Sequence, residues 1–281
     1  MLRIMKEGLK LKKVITDMEY DYLGFRTSKN IWILIIYLIA ITASEIIIAY
    51  NNVELGLILE TAILFALLIN LSISESSDFS NLLRAMMVLP MIRIIGLTIP
   101  LMQVKQIYWF PIVAIPLFAA SYTLMRTQKL NRKKVGLILG NIPVQLTVAL
   151  SGVILGFTEY LILKPQPLIS SFTLETVLIA SVILIISTGF AEELLFRGIL
   201  QKNAENVFGK IFGLLYASLL FTALHIGWHS VLDLLFVLGV GLFYGYTFQK
   251  TRSIFGITLS HGLSNTFLFL IMPFIASWAV L

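Results

Sequence analysis

The chain has no cysteine, which excludes structural disulfides, thiolate metal sites and a cysteine nucleophile together. Charge is scarce as well. Asp, Glu, Lys and Arg make up 13% of the 281 residues, where a soluble domain usually carries about a quarter. That density leaves too little polar surface to face water, whereas lipid demands none. With 58% apolar residues, the composition indicates a membrane protein. The apolar core of a cleavable signal is also missing. The first thirty residues mix Arg3, Lys6, Lys10, Lys12, Lys13, Arg26 and Lys29 with Glu7, Asp17, Glu19 and Asp21, and they read as a cytoplasmic N-terminal segment.

A spanning helix needs about 20 mostly apolar residues. Nine stretches come near this, roughly 31–50, 55–74, 82–102, 107–125, 135–163, 175–206, 210–226, 230–249 and 253–279. The seventh is short and the last contains Pro273, so the expectation is an all-α polytopic bundle of eight to nine spans. Its expected parts are the segment 1–30, N-terminal helices over 31–170 and catalytic helices over 171–281. Loops are brief and no internal repeat is present. The net charge of +6 does not signal nucleic acid, because the basic residues cluster between apolar spans. Arg126, Lys129, Arg132, Lys133, Lys134, Lys202, Lys210, Lys250 and Arg252 fall on the same side as the N-terminus, and only Lys105 and Lys164 fall on the other. By the positive-inside rule this predicts a cytoplasmic N-terminus and a plasma-membrane protein.

Ionisable residues remain inside spans: Glu45, Glu60, Arg93, Glu159, Glu192, Glu193, Arg197, His225, Asp233 and His261. Charge at bilayer depth is costly, so such residues face a bundle interior and are functional candidates. Glu60 and Arg93 read as a structural ion pair between neighbouring spans. Glu45, Glu159 and Asp233 lie near span ends and read as interfacial. His229, beyond a helix end expected at Gly227, reads as interfacial beside Trp228, with Asp233 a possible partner. Gly241 and Gly245 form a small-xxx-small step for close helix approach, and Pro90, Pro100, Pro111, Pro116 and Pro143 mark kinks or span ends.

The polar residues concentrate in the last third. Adjacent Glu192 and Glu193 cannot share a helix face, since successive residues are about 100° apart. Glu193 can pair with Arg197 four residues on, which leaves Glu192 pointing elsewhere without a local cation. A carboxylate in an apolar bundle has its ionised form disfavoured, the condition a general base needs near neutral pH. His225 ends span seven. His261 and Asn265, at i and i+4, project from one side of span nine, and two such donors can stabilise an oxyanion. On the residues alone a buried ion-pair network that merely locks helices remains open. There is no His-Glu-x-x-His zinc helix, no Gly-x-Ser-Gly and no Gly-x-Gly-Asp. What is left is glutamate with histidine activating water.

These residues resemble the CAAX-protease and bacteriocin-processing family, which includes the type II prenyl endopeptidases (Ras-converting enzymes). The pattern Glu-Glu-x-x-x-Arg, Phe-x-x-x-His, His-x-x-x-Asn stands here as Glu192 to Arg197, Phe221 to His225 and His261 to Asn265, in that order. The resemblance covers roughly 175–270. It implies an intramembrane glutamic endopeptidase without a metal or other cofactor, acting on a peptide or protein substrate at the lipid bilayer, prenylated in some relatives. It also implies a cavity reached from the cytosol. In that scheme Glu192 and His225 activate water, His261 and Asn265 form the oxyanion hole, and Glu193 and Arg197 orient the site. Two rivals stand beside it. One is a non-catalytic membrane scaffold or immunity-type protein whose polar cluster is structural. The other is a zinc hydrolase with Glu192, His225 and His261 as ligands.

Overall fold

The computed structural model describes residues 29–50, 52–99 and 103–278. The expected N-terminal segment, up to residue 28, and Pro100 lie outside the described residues. What is described is all helix, with no strand. Nine helices follow one another: α1 (Lys29–Ala49), α2 (Val53–Ser72), α3 (Ser77–Thr98), α4 (Gln106–Thr127), α5 (Ile142–Leu163), α6 (Leu174–Phe208), α7 (Lys210–Ala223), α8 (Val231–Thr251) and α9 (Phe255–Ser277). All but α7 are long and apolar enough to cross a membrane, and the protein is an integral membrane protein. The short seventh stretch expected from the sequence is α7.

Local chemistry sets the helix ends. Asn52 and Asn141 accept from the amides of Leu55 and Val144 at the starts of α2 and α5, satisfying donors that the helix itself leaves free. Pro143 occupies the first turn of α5, where no amide is needed. Pro90 lies just past an interruption of α3 at Met87. It has no amide to give the carbonyl of Met86, four residues back.

Antiparallel succession places the connections on two faces. On the basic face, the 128–141 loop and the turn after α8 are joined by Ile254 N–H donating to the Gly136 carbonyl at 3.0 Å. Gln249 Nε2 donates to the Lys210 carbonyl at 2.9 Å there. On the opposite face the ring of Tyr50, just past α1, meets that of His229 in the α7–α8 turn at 5.8 Å. Leu168 N–H, in the 164–173 connection, donates to the Phe269 carbonyl at 3.1 Å. The α7 hairpin therefore reaches the far face, although its helix measures only about 21 Å at 1.5 Å per residue.

Close approach of backbones holds the last helices together. A Cβ on Gly152 of α5 would lie 2.1 Å from the Ser260 carbonyl oxygen of α9, and one on Gly156 would lie 2.2 Å from that of Ser264. The Gly241–Gly245 step works differently from simple packing. It exposes two α8 carbonyls to α6, and they accept from Arg197 Nη2 at 3.3 Å and Gln201 Nε2 at 3.1 Å.

Four expectations are corrected. Arg93 forks onto Glu45, not Glu60, through Nε and Nη2. Glu45 is thus not interfacial but 1% exposed within the bundle, because a guanidinium presents two parallel donors that match one carboxylate. Asp233 stands in the first turn of α8, at the span end as expected, and is fully buried against the protein. Its amide takes the cap from Ser230 Oγ at 3.2 Å, and no hydrogen bond to His229 joins its carboxylate. Glu159 lines an interior cavity, described next.

Candidate active site

Helix α6 changes character where its carboxylates sit. Two π-helical stretches, Ile185–Phe190 and Leu194–Gln201, flank three α-helical residues, Ala191–Glu193. π-turns add a residue to the local repeat and occur often at functional sites. Gly189 makes room for the neighbour, since a Cβ there would lie 2.5 Å from the Thr258 carbonyl oxygen of α9. The bulged segment thereby reaches the helix carrying His261 and Asn265.

Glu192 and Glu193 do diverge. Glu193 is wholly buried, and its Oε1 accepts from Arg197 Nη1 at 3.1 Å and from His261 Nδ1 at 2.9 Å. The guanidinium carbon of Arg197 lies 4.5 Å from the centre of the Phe221 ring, a cation–π distance. Glu193 and Arg197 thus form a dry brace that ties α6 to α9 and α8. Glu192 is 28% exposed, and its Oε2 lies 3.9 Å from His261 Nε2. The one imidazole is held by the buried carboxylate on one side and turned to the accessible carboxylate on the other.

His225 sits just past α7, where Nδ1 is 2.9 Å from the Phe221 carbonyl. A carbonyl only accepts, so Nδ1 carries the hydrogen and Nε2 keeps a free lone pair. The preceding carbonyl, of Leu224, accepts from Arg93 Nη2 at 3.0 Å. The Arg93–Glu45 pair therefore anchors the turn that presents His225. Asn265 Nδ2 donates to Thr188 Oγ1 at 2.8 Å, and Thr188 Oγ1 donates to the Leu184 carbonyl at 2.6 Å. An amide nitrogen has two hydrogens, so this bond orients the group and leaves one donor over.

All four predicted residues, Glu192, His225, His261 and Asn265, line one cavity of about 150 Å³. Gln106, Phe110, Leu168 and Trp228 also line it, and Trp228 stacks on Phe269 at 5.7 Å. A larger cavity of about 320 Å³ adjoins it, sharing Glu192, His225 and Thr188. Most of its wall is apolar, including Leu89, Ile92, Trp109, Val113, Leu117 and Phe196, with Arg93, Gln106 and Ser187 among the polar remainder. Glu159 is the residue that the sequence reading misplaced, since it borders the small cavity beside His261 and Asn265. A signal for it existed. It follows Gly156 by three positions and Gly152 by seven, and so shares the face of α5 that these glycines press onto α9. Thr188 and Gln106 were missed because an uncharged side chain gives no warning of burial in a mostly apolar helix. Among the described residues no group of three or more His, Asp or Glu side chains is placed to hold a metal ion.

Residues 174–267, from the first residue of α6 into α9, match the family model described as Type II CAAX prenyl endopeptidase Rce1-like. The resemblance carried by the three motifs is thus borne out over that segment, and it places the segment with CAAX-type membrane proteases. No curated protein and no solved structure matches the chain.

Proposed function

We propose that this chain is an intramembrane endopeptidase that hydrolyses a peptide bond of a membrane-associated substrate with water activated by Glu192 and His225. One observation carries the reading: the two carboxylate-and-imidazole motifs and the amide line one cavity sunk among apolar helices. A network that merely locked helices would need only the Glu193–Arg197 brace, and would leave no cavity beside it.

The chemistry follows from the donors and acceptors. Water in the cavity gives its proton to the Glu192 carboxylate or to His225 Nε2 as its oxygen adds to the scissile carbonyl carbon. The resulting oxyanion accepts from the spare hydrogen of Asn265 and from His261 Nε2–H, which the ring presents when protonated and paired through Nδ1 with Glu193. Collapse breaks the C–N bond, and the proton held by the base passes to the leaving amine. Every proton is accounted for by these side chains, without a metal or other cofactor. The adjoining apolar cavity is suited to a hydrocarbon anchor or apolar side chains on the substrate, prenyl groups included. In this reading the basic face is cytoplasmic.

Replacing the base tests this. Glu192→Ala in purified protein is expected to lower cleavage of a co-expressed membrane peptide, followed by intact mass, by about 10²-fold to 10⁴-fold while leaving thermal unfolding unchanged. Chelator treatment of the unaltered protein is expected to leave the rate as it was. Unchanged turnover in the variant removes Glu192 as base, and a rate that chelation abolishes and zinc restores favours the metal reading.

A further inference from the structure

Glu159 of α5 stands outside the three motifs and outside the matched segment 174–267, yet it reaches the same cavity. It lines the small cavity with Glu192, His225, His261 and Asn265. It also lines an adjoining recess of about 30 Å³, walled by Phe236, Val240 and Tyr244 of α8. The Ser264 hydroxyl of α9 donates to its carboxylate, so the group is held where α5, α8 and α9 meet. The hydrolytic scheme gives it no task.

What Glu159 lacks is a cation. Among the described residues no Lys or Arg forms an ion pair with it. Arg197 is taken by Glu193 and the Gly241 carbonyl, and Arg93 by Glu45 and the Leu224 carbonyl. His225 holds its Nδ1 hydrogen against a carbonyl, and His261 already serves Glu193. No Lys or Arg side chain lines the small cavity or the recess. A second carboxylate deepens the deficit. Asp233 is fully buried, neither of its oxygens has a hydrogen-bond partner, and its charge acts on Glu159. It heads the α8 row of Asp233, Phe236, Val237 and Val240, whose later members wall the recess. Unpaired carboxylates at bilayer depth are costly, and a cation brought in by a ligand removes that cost.

The rest of the lining suits such a guest. Phe110, Trp228 and Phe269 line the small cavity, and aromatic faces attract ammonium and guanidinium groups. A metal ion fits less well, because no group of three His, Asp or Glu side chains converges among the described residues. We propose that Glu159 determines specificity, its carboxylate receiving the side chain of a substrate lysine or arginine near the scissile bond. The Asn265 amide and His261 ring assigned to the oxyanion line the same cavity, which keeps that basic residue close to the bond cut. The word scissile rests on the function proposed above; the preference of the cavity for a cation does not.

The absence of cysteine lets the charge of the cavity be read without turnover. Leu268→Cys, which lines the small cavity, is reacted with cationic aminoethyl and anionic sulfonatoethyl methanethiosulfonate in detergent at mildly alkaline pH. The cationic-to-anionic rate ratio is expected to fall about tenfold when Glu159→Gln is added, and to stay near the parent value with Glu159→Asp. An unchanged ratio in the glutamine variant, or no reaction with the cationic reagent, overturns the proposal. Cleavage is followed in parallel by mass, on lipid-anchored peptides uncharged except for one Lys, norleucine or Glu moved along the sequence. At its best position Lys is expected to raise the rate about tenfold over norleucine, and Glu159→Lys to shift the preference to Glu. Equal rates for the three residues at every position, or a preference of the unaltered protein for Glu, overturn it. Should Glu159→Gln not fold, the peptide series on the unaltered protein decides. A protein that labels with the expected charge preference yet cuts no peptide refutes the hydrolase and leaves the cation site standing. Cleavage without the charge preference does the opposite.

Discussion

At the scale of single residues, the site is organised by what each polar atom has as a partner. Glu193 spends one oxygen on both Arg197 and His261, so that its charge and the arginine's neutralise each other in a dry place. Removing Glu193 or Arg197 would leave the other's buried charge without its ion-pair partner, at a cost of about 3–5 kcal/mol. Glu192, one position away, keeps access to the cavity. The same sequence doublet thus supplies a buried, paired carboxylate and one turned to the cavity. Asn265 depends on Thr188 for its orientation, and this can be isolated. Thr188→Val keeps the volume but removes the acceptor, and a net hydrogen bond is worth about 0.5–1.5 kcal/mol. Cleavage rate is expected to fall up to about tenfold, with Thr188→Ser restoring most of it. A valine variant as fast as the parent protein would separate Asn265 from oxyanion binding.

At the scale of elements, glycine sets the distance between helices. Gly152 and Gly156 bring α5 against the carbonyls of Ser260 and Ser264, the residues beside His261 and Asn265. Gly152→Ala must displace α9, and overpacking of this kind costs about 1–3 kcal/mol. Gly239 in α8 serves as the control, because a Cβ there meets nothing. Gly239→Ala is expected to be neutral or to stabilise by up to about 1 kcal/mol. Thermal unfolding in detergent reads both, and cleavage should drop only for Gly152→Ala. Equal behaviour of the two variants would mean that the α5–α9 contact does not hold the site. The π-helical stretches of α6 act in the same sense, carrying Glu192 and Glu193 to α9 at a point where Gly189 lets the backbones meet.

At the scale of the whole molecule, the cavities lie toward the end of the bundle that carries Gln106 and Leu168, and at the other end Val135 of the basic loop is buried. That end is an apolar plug under a charged rim, so it should respond sharply to position. Val135→Asp puts a charge where nothing can pair with it and is expected to lower the thermal midpoint clearly. Lys133→Asp, two residues away and exposed, should stay within about 0.5 kcal/mol of the parent protein, as surface changes do. If both variants melt alike, Val135 is not buried as described.

Much of this was legible in the sequence because it is local. Whether a stretch can cross a bilayer depends on its own hydropathy, and the helices fall near where apolar length predicted them, except that α5 begins at Ile142 and not near 135, because 135–141 belong to the basic loop. The divergence of Glu192 from Glu193, the Glu193–Arg197 pair and the shared side of His261 and Asn265 follow from helical geometry alone. Partners and depth were decided only by the tertiary structure. Arg93 takes Glu45 because α1 presents that carboxylate where its fork can close, and Glu159 joins the cavity because two glycines let α5 lie against α9. Likewise, no local signal says which end of a bundle is plugged. The sequence determined which residues carry the polar chemistry, since side-chain type and helical spacing are written along one chain. The packing of helices far apart in sequence decided which of them meet around a cavity, since void and contact exist only between elements.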